Sequence, residues 1–148
     1  MTIRKAAPAD VAAVSDVVQR AYEPYIARIG KPPGPMLDDY RKRVTDGQVW
    51  VLEEDEGIAG LVILEDTADG VLLDNIAVAP AAQGKGLGGR LIAFTEAEAR
   101  RRGRPAVYLY THVMMTENIA LYTRLGFIET HRVSEKGFDR VYMTKRLD

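Results

Sequence analysis

The segment Gln83-Gly84-Lys85-Gly86-Leu87-Gly88-Gly89 follows an apolar strand pattern, Leu72-Leu73-Asp74-Asn75-Ile76-Ala77-Val78, and precedes a helical pattern over residues 87–102. Glycine has no Cβ, so four glycines in this short run allow a sharp turn and a close approach of backbone N–H groups to one anion. The N-terminus of the following helix adds unpaired N–H groups and the positive end of the helix dipole. The stretch therefore predicts a binding site for a phosphorylated ligand.

Two common phosphate motifs do not fit this segment. The P-loop needs Ser or Thr after its Gly-Lys pair, and here Gly86 follows Lys85. The dinucleotide fingerprint can be placed on three of the glycines, but the expected acidic residue is absent because the strand near Val107 ends in Tyr110-Thr111. A glycine-rich turn that binds nothing is the alternative interpretation.

The composition excludes several classes of protein. The 148 residues fit a single domain over 1–148, and the net charge of −1 gives no reason to expect binding to nucleic acid or a membrane. The absence of cysteine excludes disulfides, thiolate nucleophiles and cysteine zinc sites, and with two histidines we expect no metal site. No apolar run approaches the ~20 residues of a membrane span, and the N-terminus lacks a signal-type stretch, so we expect a cytoplasmic protein.

Strand and helix patterns alternate along the chain. An amphipathic helix is predicted over residues 8–26, followed by a Pro- and Gly-rich loop over 30–35 and a helix over 36–45. The links at 55–57 and 68–70 predict hairpins and hence antiparallel strands. The predicted order is βααβββαβαββ, with strands at 2–5, 49–54, 58–65, 71–78, 106–110, 127–133 and 140–145, and later helices at 87–102 and 118–125.

At two motifs the chain resembles the GNAT superfamily of N-acetyltransferases. Gln83, Gly86 and Gly88 meet the pattern of its acetyl-CoA pyrophosphate loop, Gln/Arg-x-x-Gly-x-Gly/Ala. The run Asn118-Ile119-Ala120-Leu121-Tyr122-Thr123-Arg124-Leu125-Gly126-Phe127 is similar to a second family motif, Asn-x-x-Ala-x-x-Leu-Tyr-x-x-x-Gly-Phe, in slightly compressed form. The resemblance is strong over residues 70–130, and over residues 1–69 it rests mainly on the order of elements.

The resemblance implies an α/β fold with a mixed, mostly antiparallel central sheet and helices on both faces. The strand before the glycine loop and the strand before the last helix should be parallel neighbours that splay apart at the acetyl-CoA site. Backbone groups of Ile76, Ala77 and Val78 would hold the pantetheine and the thioester carbonyl, although Ile76 and Val78 also read as core side chains. The pyrophosphate would be held by Gln83, Gly84, Lys85, Gly86, Leu87, Gly88 and Gly89, with Lys85 either touching phosphate or facing solvent. Asn118 matches a CoA-contacting asparagine and could equally be a helix N-cap.

The implied chemistry is direct transfer of an acetyl group from acetyl-CoA to a neutral amine. It needs a deprotonated amine, a donor to the thioester carbonyl as charge develops, and a proton for the leaving thiolate. The Val78 amide is the implied carbonyl donor, and Tyr122 is the implied acid and a cofactor contact. A phenol is protonated at neutral pH and close in basicity to a thiolate. Tyr122 could instead be a packing residue.

The general base is open between three alternatives. Asp74 lies two residues before Ile76, so strand alternation puts it on the same face as Ile76 and Val78, where it could accept the amine proton through a water. His112 follows Thr111 and could act as a base or be structural. The amine could also lose its proton to solvent without a dedicated base.

The acceptor site should be walled by the loop between the first helices and by the last hairpin. Asp38 and Asp39 could attract a cationic amine, or could belong to an ordinary solvated helix face. These patterns favour an N-acetyltransferase for a small-molecule amine. A protein N-terminal or lysine acetyltransferase and a non-catalytic acyl-CoA-binding sensor are the alternatives, and the family makes a homodimer unsurprising. The wall residues would be Tyr22, Tyr25, the 30–35 loop, Asp38, Asp39, Tyr40 and the 134–139 turn.

Overall fold

The strands form one seven-stranded sheet in the order β1-β2-β3-β4-β5-β7-β6. The computed structural model describes residues 1–147. Each strand that the sequence predicts is present, with ends displaced by at most a few residues. The strands are β1 Thr2–Lys5, β2 Val49–Glu54, β3 Gly57–Thr67, β4 Gly70–Val78, β5 Ala106–His112, β6 Ile128–Glu135 and β7 Phe138–Arg146.

The sheet is mostly antiparallel, as predicted, and β4 and β5 form its parallel pair. Antiparallel ladders join β1 to β2, β2 to β3, β5 to β7 and β6 to β7. The parallel register runs from Val71 opposite Val107 to Leu73 opposite Leu109. Within the part of the chain that the structure describes, that register ends there, while β4 continues to Val78 and β5 to His112. The early end of the ladder fits strands that separate.

The helices begin and end where caps and prolines dictate. The predicted helix over 8–26 is wrong in extent, because the chain bends after Tyr22 at Glu23 and Pro24, and proline has no N–H to continue a helix. The predicted helix over 36–45 begins later, at Tyr40, because Asp39 accepts the Lys42 N–H at 3.1 Å and caps it. The α-helices are α1 Val11–Tyr22, α2 Tyr25–Ile29, α3 Tyr40–Thr45, α4 Leu87–Arg101 and α5 Thr116–Arg124, and short 3₁₀ helices cover Pro8–Asp10, Gly34–Leu37 and Pro80–Ala82.

The backbone contacts group into two compact units. The first contains residues 1–64 and 75–93. In it Gly60 of β3 packs so closely that a Cβ would lie 3.0 Å from the carbonyl oxygen of Ala77 and 3.1 Å from the side chain of Leu91. The buried aliphatic side chains of this unit include Val14, Val18, Val49, Leu61 and Leu91.

The second unit contains residues 65–74 and 94 onward. At its hairpin Gly70 has a φ of 142°, and a Cβ there would lie 2.6 Å from the Ala106 carbonyl oxygen, so both the backbone and the space require glycine. Its buried side chains include Leu73, Val107, Leu109, Phe127 and Met143. A single domain over 1–148 stays a prediction. None of the helices in the described residues is long and apolar enough to cross a membrane.

We expect Glu98→Gln to destabilise the protein at neutral pH. Glu98 is 6% exposed and accepts hydrogen bonds from Arg101 and Arg102. These bonds, of which the one from Arg101 has the largest effect, lower the pKa of Glu98 to about 2, although burial alone would raise it. A depressed folded-state pKa gives stability that is present above the ordinary value of 4.5 and is lost as the pH falls towards 2. Urea unfolding should show a loss of about 1–3 kcal/mol at pH 7.

The difference between the parent and Glu98→Gln should shrink steadily below pH 4.5. Glu129→Gln is the control, because it removes an exposed ion pair with Arg132 and should leave the unfolding midpoint unchanged. A Glu98→Gln effect that is equal at pH 7 and pH 3 would contradict the assignment.

Candidate active site

The glycine-rich segment forms the turn between β4 and α4, as the sequence predicts. Gly84 and Gly86 have φ values of 83° and 78°, which favour glycine. The first helical hydrogen bond runs from the Arg90 N–H to the Gly86 carbonyl at 3.2 Å. The N–H groups of Leu87, Gly88 and Gly89 come before that bond, in the first turn of α4, where N–H groups have no partner within the helix. This arrangement can bind an anion.

Gly88 and Gly89 are not explained by the fold. Neither has a positive φ, and apart from the adjacent residues and the nearby backbone of the helix itself, no described atom lies within 4 Å of a Cβ built at either position. Alanine would fit both positions, and glycine within a helix costs up to about 1 kcal/mol relative to alanine. Open space is also present where a Cβ would lie at Gly84 and Gly86, so all four glycines leave the backbone of the turn accessible.

Side chains of the turn have distinct environments. Gln83 donates from Nε2 to the carbonyl oxygen of Val78 at 3.2 Å and so braces the turn against the end of β4. Leu87 is buried, whereas Lys85 is exposed. The sequence correctly predicted that Gln83 lies in the turn, but the motif did not predict its hydrogen bond to Val78.

Alternation along β4 puts the predicted site residues on one face. Asp74, Ile76 and Val78 are half-buried, while Ala77 is buried on the opposite face. Side chains alternate between the two faces of a strand, so the predicted common face of Asp74, Ile76 and Val78 is confirmed.

Asn75 lies on the buried face of β4 and joins a hydrogen-bonded cluster that the sequence analysis missed. Tyr22 is at the end of α1, and its hydroxyl lies 2.7 Å from Asn75 Oδ1 and 3.0 Å from the Ile76 carbonyl oxygen. Asn75 Nδ2 donates to the Tyr40 hydroxyl at 3.1 Å, and that hydroxyl donates to the Pro35 carbonyl. Tyr22, Tyr40 and Asn75 are at most 8% exposed. The only available signal was a polar residue in an apolar strand pattern.

Tyr122 and Asn118 both lie on α5. Tyr122 is 5% exposed, and its ring meets that of Phe127 edge-on, with 5.9 Å between centroids. Asn118 is the third residue of α5, which begins at Thr116 with Met115 at the N-cap position. The alternative of Asn118 as a helix N-cap is therefore wrong, because the N-cap position belongs to Met115 and Asn118 lies within the first turn of the helix.

The two candidate bases have different partners. Tyr110 on β5 donates its hydroxyl to Asp74 Oδ1 at 2.8 Å. Burial is the main cause that raises the pKa of Tyr110 well above its ordinary value, and the charge of Asp74 raises it further. The phenol therefore stays protonated. His112 accepts the Met114 N–H at Nδ1 over 3.0 Å, and its ring contacts Phe138 edge-on. His112 is thus held by its neighbours, which agrees with a structural role.

The predicted acceptor walls are largely engaged in structural contacts. Asp38 forms an ion pair with Arg43 at 2.9 Å, and Asp39 caps α3. These contacts agree with the alternative of an ordinary helix face. Tyr22 and Tyr40 are buried in the Asn75 cluster, and Tyr25 remains half-buried with Arg28 stacked over its ring at 5.1 Å.

The candidate residues are divided between the two units. The first holds Ile76, Ala77, Val78 and residues 83–89, and the second holds Asp74, His112, Asn118 and Tyr122. Within residues 1–147 there is no group of three or more His, Cys, Asp or Glu side chains arranged to hold a metal ion.

Known structures with the same fold are acetyltransferases. The PaiA N-acetyltransferase of Thermoplasma acidophilum, in complex with coenzyme A, superposes with a TM-score of 0.81 at 18% identity over 99% of this chain and 98% of its own. The ribosomal-protein-alanine N-acetyltransferase of Brucella melitensis gives 0.79 at 25% identity over 99% and 100%. YncA of Salmonella typhimurium, with its cofactor acetyl-CoA, gives 0.75 at 26% identity over 100% and 94%. No curated protein matches the chain.

The mixed sheet with its short parallel pair, together with these likenesses, defines the fold as the α/β fold of these acetyltransferase structures. Residues 45–129, more than half of the chain, match the family described as the acetyltransferase (GNAT) domain. The chain belongs to the GNAT acetyltransferase family, as its two motifs suggested. The matched range includes the glycine-rich turn, Asp74, Asn118 and Tyr122.

We expect Tyr22→Phe to destabilise the fold. The substitution leaves the buried Asn75 Oδ1 without its 2.7 Å donor, and a buried acceptor deprived of its partner costs about 1–3 kcal/mol. Denaturant unfolding checks this, with Tyr25→Phe as the control because it keeps the ring under Arg28. Equal unfolding midpoints for Tyr22→Phe and the parent would show that the Asn75 cluster adds nothing to stability.

Proposed function

We propose that the chain is an acetyl-CoA-dependent N-acetyltransferase, active as one domain, that transfers acetyl from the thioester to a primary amine. The observation that carries the proposal is the pair Gly88 and Gly89 in the first turn of α4, which neither packing nor backbone conformation requires. Coenzyme A or acetyl-CoA in the structures of the Thermoplasma and Salmonella neighbours supports the choice of ligand.

The cofactor contacts proposed are those of the family motifs. The backbone of the turn binds the pyrophosphate, and the positive end of α4 favours its charge. Backbone groups of β4 bind the pantetheine and the thioester carbonyl, and α5 adds side-chain contacts. The residues are Gln83, Gly84, Lys85, Gly86, Leu87, Gly88 and Gly89 for the pyrophosphate, Ile76, Ala77 and Val78 for the pantetheine arm, and Asn118 and Tyr122 on α5.

The proposed reaction breaks the thioester C–S bond and forms an amide C–N bond. Acetyl-CoA supplies the activated acyl group. The Val78 N–H donates to the carbonyl oxygen as negative charge develops on it, and the Tyr122 hydroxyl gives its proton to the departing thiolate sulfur. The proton lost by the amine nitrogen goes to Asp74 through a water molecule. Asp74 then loses a proton to solvent and Tyr122 regains one from solvent, which restores both groups for the next turnover.

The acceptor proposed is a primary amine of a small molecule. The Pro-rich loop over 30–35 would narrow the approach of a long peptide if it covers the acceptor, and this argument favours the small molecule. The second candidate is the N-terminal amine of a protein, which the name of the Brucella neighbour favours. Both candidates use the same proposed chemistry and differ only in what surrounds the amine.

Calorimetric titration with acetyl-CoA, with ATP and NAD as controls, is the direct test. We expect selective micromolar binding, followed by release of thiol when a panel of small amines or alanine-ended peptides is added. Absence of binding in a folded, CoA-free sample would refute the proposal. Binding without turnover on either panel would favour the acyl-CoA sensor.

We expect Gly88→Val to lose acetyl-CoA binding while keeping the fold. A Cβ at Gly88 meets nothing within 4 Å beyond its neighbours and the local helix backbone, so we expect the new side chain to project into the space that the ligand would occupy. Calorimetry should show affinity at least about tenfold weaker, equivalent to about 1.4 kcal/mol. Ala93→Val, a β-branched substitution at an exposed position of the same helix, is the matched control. Parental affinity in a folded Gly88→Val protein would show that this turn does not hold the cofactor.

Tyr122→Phe should lower kcat at least about tenfold with little change in the Kd for acetyl-CoA. The substitution removes the proposed proton donor but keeps the ring that packs on Phe127. Steady-state kinetics and calorimetry on the same sample separate the two effects. Tyr108→Phe, which removes a hydroxyl bonded to Thr67, is the control for loss of a half-buried phenol. Equal kcat for Tyr122→Phe and the parent would remove Tyr122 from the mechanism.

A further inference from the structure

The contact between Tyr110 and Asp74 lies where the parallel pair loses its main-chain pairing. Leu73 and Leu109 form the last pair of that ladder, and Asp74 and Tyr110 are the next residues of the two strands. Their side chains meet at 2.8 Å between the phenol oxygen and Oδ1. A side-chain hydrogen bond therefore continues the contact between β4 and β5 one residue beyond the ladder.

The direction of this hydrogen bond is fixed by the chemistry of the two groups. A carboxylate only accepts, so the phenol must donate. Burial and the neighbouring carboxylate both raise the pKa of Tyr110, and the positive charge of Arg140 opposes them without reversing the shift. Tyr110 therefore keeps its hydrogen over the pH range in which an enzyme is assayed, and Oδ1 of Asp74 always receives it.

The Tyr110 ring is itself held on its other side. The Arg140 guanidinium lies 4.2 Å from the ring centroid, and the Tyr142 ring lies 5.6 Å away. Arg140 is 9% exposed and donates to Glu135 at 2.8 Å, and the same carboxylate oxygen accepts the Tyr142 hydroxyl at 2.6 Å. Two strands thus fix the ring whose hydroxyl meets Asp74, and the hydroxyl has little freedom to turn away.

We infer that Tyr110 is a positioning residue, which holds Asp74 as an oriented carboxylate that receives the ammonium group of the acceptor. The inference rests on the proposed function. A hydrogen bond to a carboxylate favours its charged form, which is the form that attracts an ammonium ion. The pair is accordingly suited to attracting and orienting a cationic amine, which loses its extra proton through the bound water to solvent before the neutral nitrogen attacks. The second proton, lost as the amide forms, goes to Asp74 through that water. The acceptor class that fits is an alkyl amine, which is an ammonium ion at neutral pH.

Tyr110→Phe tests the inference, because it removes the hydroxyl and keeps the ring under Arg140. In a crystal structure of the variant we expect Asp74 to leave its parental rotamer or to occupy more than one. With an alkyl amine we expect KM for the amine to rise about five- to tenfold, with a smaller fall in kcat and the Kd for acetyl-CoA changed less than about twofold. Tyr108→Phe is the matched control on the same strand and face, and it should leave both the Asp74 rotamer and the KM unchanged.

A double-mutant cycle shows whether Tyr110 acts through Asp74. In the Asp74→Asn background, Tyr110→Phe should add less than about a twofold further loss, because the group that it positions is already gone. An unchanged Asp74 rotamer in Tyr110→Phe, or losses that multiply fully in the double variant, would overturn the inference. Failure of the proposed function is distinct, because the parent protein would then neither bind acetyl-CoA nor acetylate an amine, whatever the rotamer of Asp74.

Discussion

The register of β4 is the constraint on which the candidate site depends. Val71, Leu73 and Ala77 are at most 3% exposed on one face, while Asp74, Ile76 and Val78 share the other. A shift of one residue would bury the carboxylate of Asp74 among aliphatic side chains and expose Leu73, at a large cost in free energy. Two glycines help to prevent this shift. Gly70 lies against the Ala106 carbonyl at the start of β4, and Gly60 of β3 lies against the Ala77 carbonyl near the end of β4. A residue with a Cβ would be crowded at either glycine position, so a shifted register is disfavoured.

Asn75 is the exception on the buried face of β4, and its cost is offset by its partners. An unpaired amide in this position would destabilise the fold, but both ends of the Asn75 amide are engaged by tyrosine hydroxyls. One tyrosine ends α1 and the other begins α3, and the latter also binds the carbonyl of Pro35. The network therefore ties the Pro-rich loop to β4. A fully satisfied buried network of this kind favours a single arrangement of its elements over loosely packed alternatives.

Local patterns carried most of what the sequence could predict. The period-two strands, the glycine turn before α4 and the hairpin links at 55–57 and 68–70 each depend on neighbouring residues, and the structure confirms them. The break between α1 and α2 was missed because the apolar spacing continues past Pro24, which ends the helix through its missing N–H. The Tyr22, Asn75 and Tyr40 contacts join residues 35 and 53 positions apart, and no periodicity reports such a pairing. The bond between Asp74 and Tyr110 was out of reach for the same reason, since it depends on the register of two strands separated by α4.

The glycines of the chain separate structural from functional requirements. Gly70 has a backbone conformation and a neighbour that only glycine tolerates, and Gly126 has a φ of 99°, with Lys145 Cε 3.1 Å from where a Cβ would lie. For these residues the fold is a sufficient explanation. Gly88 and Gly89 have ordinary φ values and empty space where a side chain would go, yet they occupy a helical turn in which glycine is unfavourable. Where a sequence violates a local rule without a structural gain, the compensation is expected in function. The open space over these two residues, next to the amides of a helix N-terminus, is where the phosphorylated ligand that we propose would give that compensation.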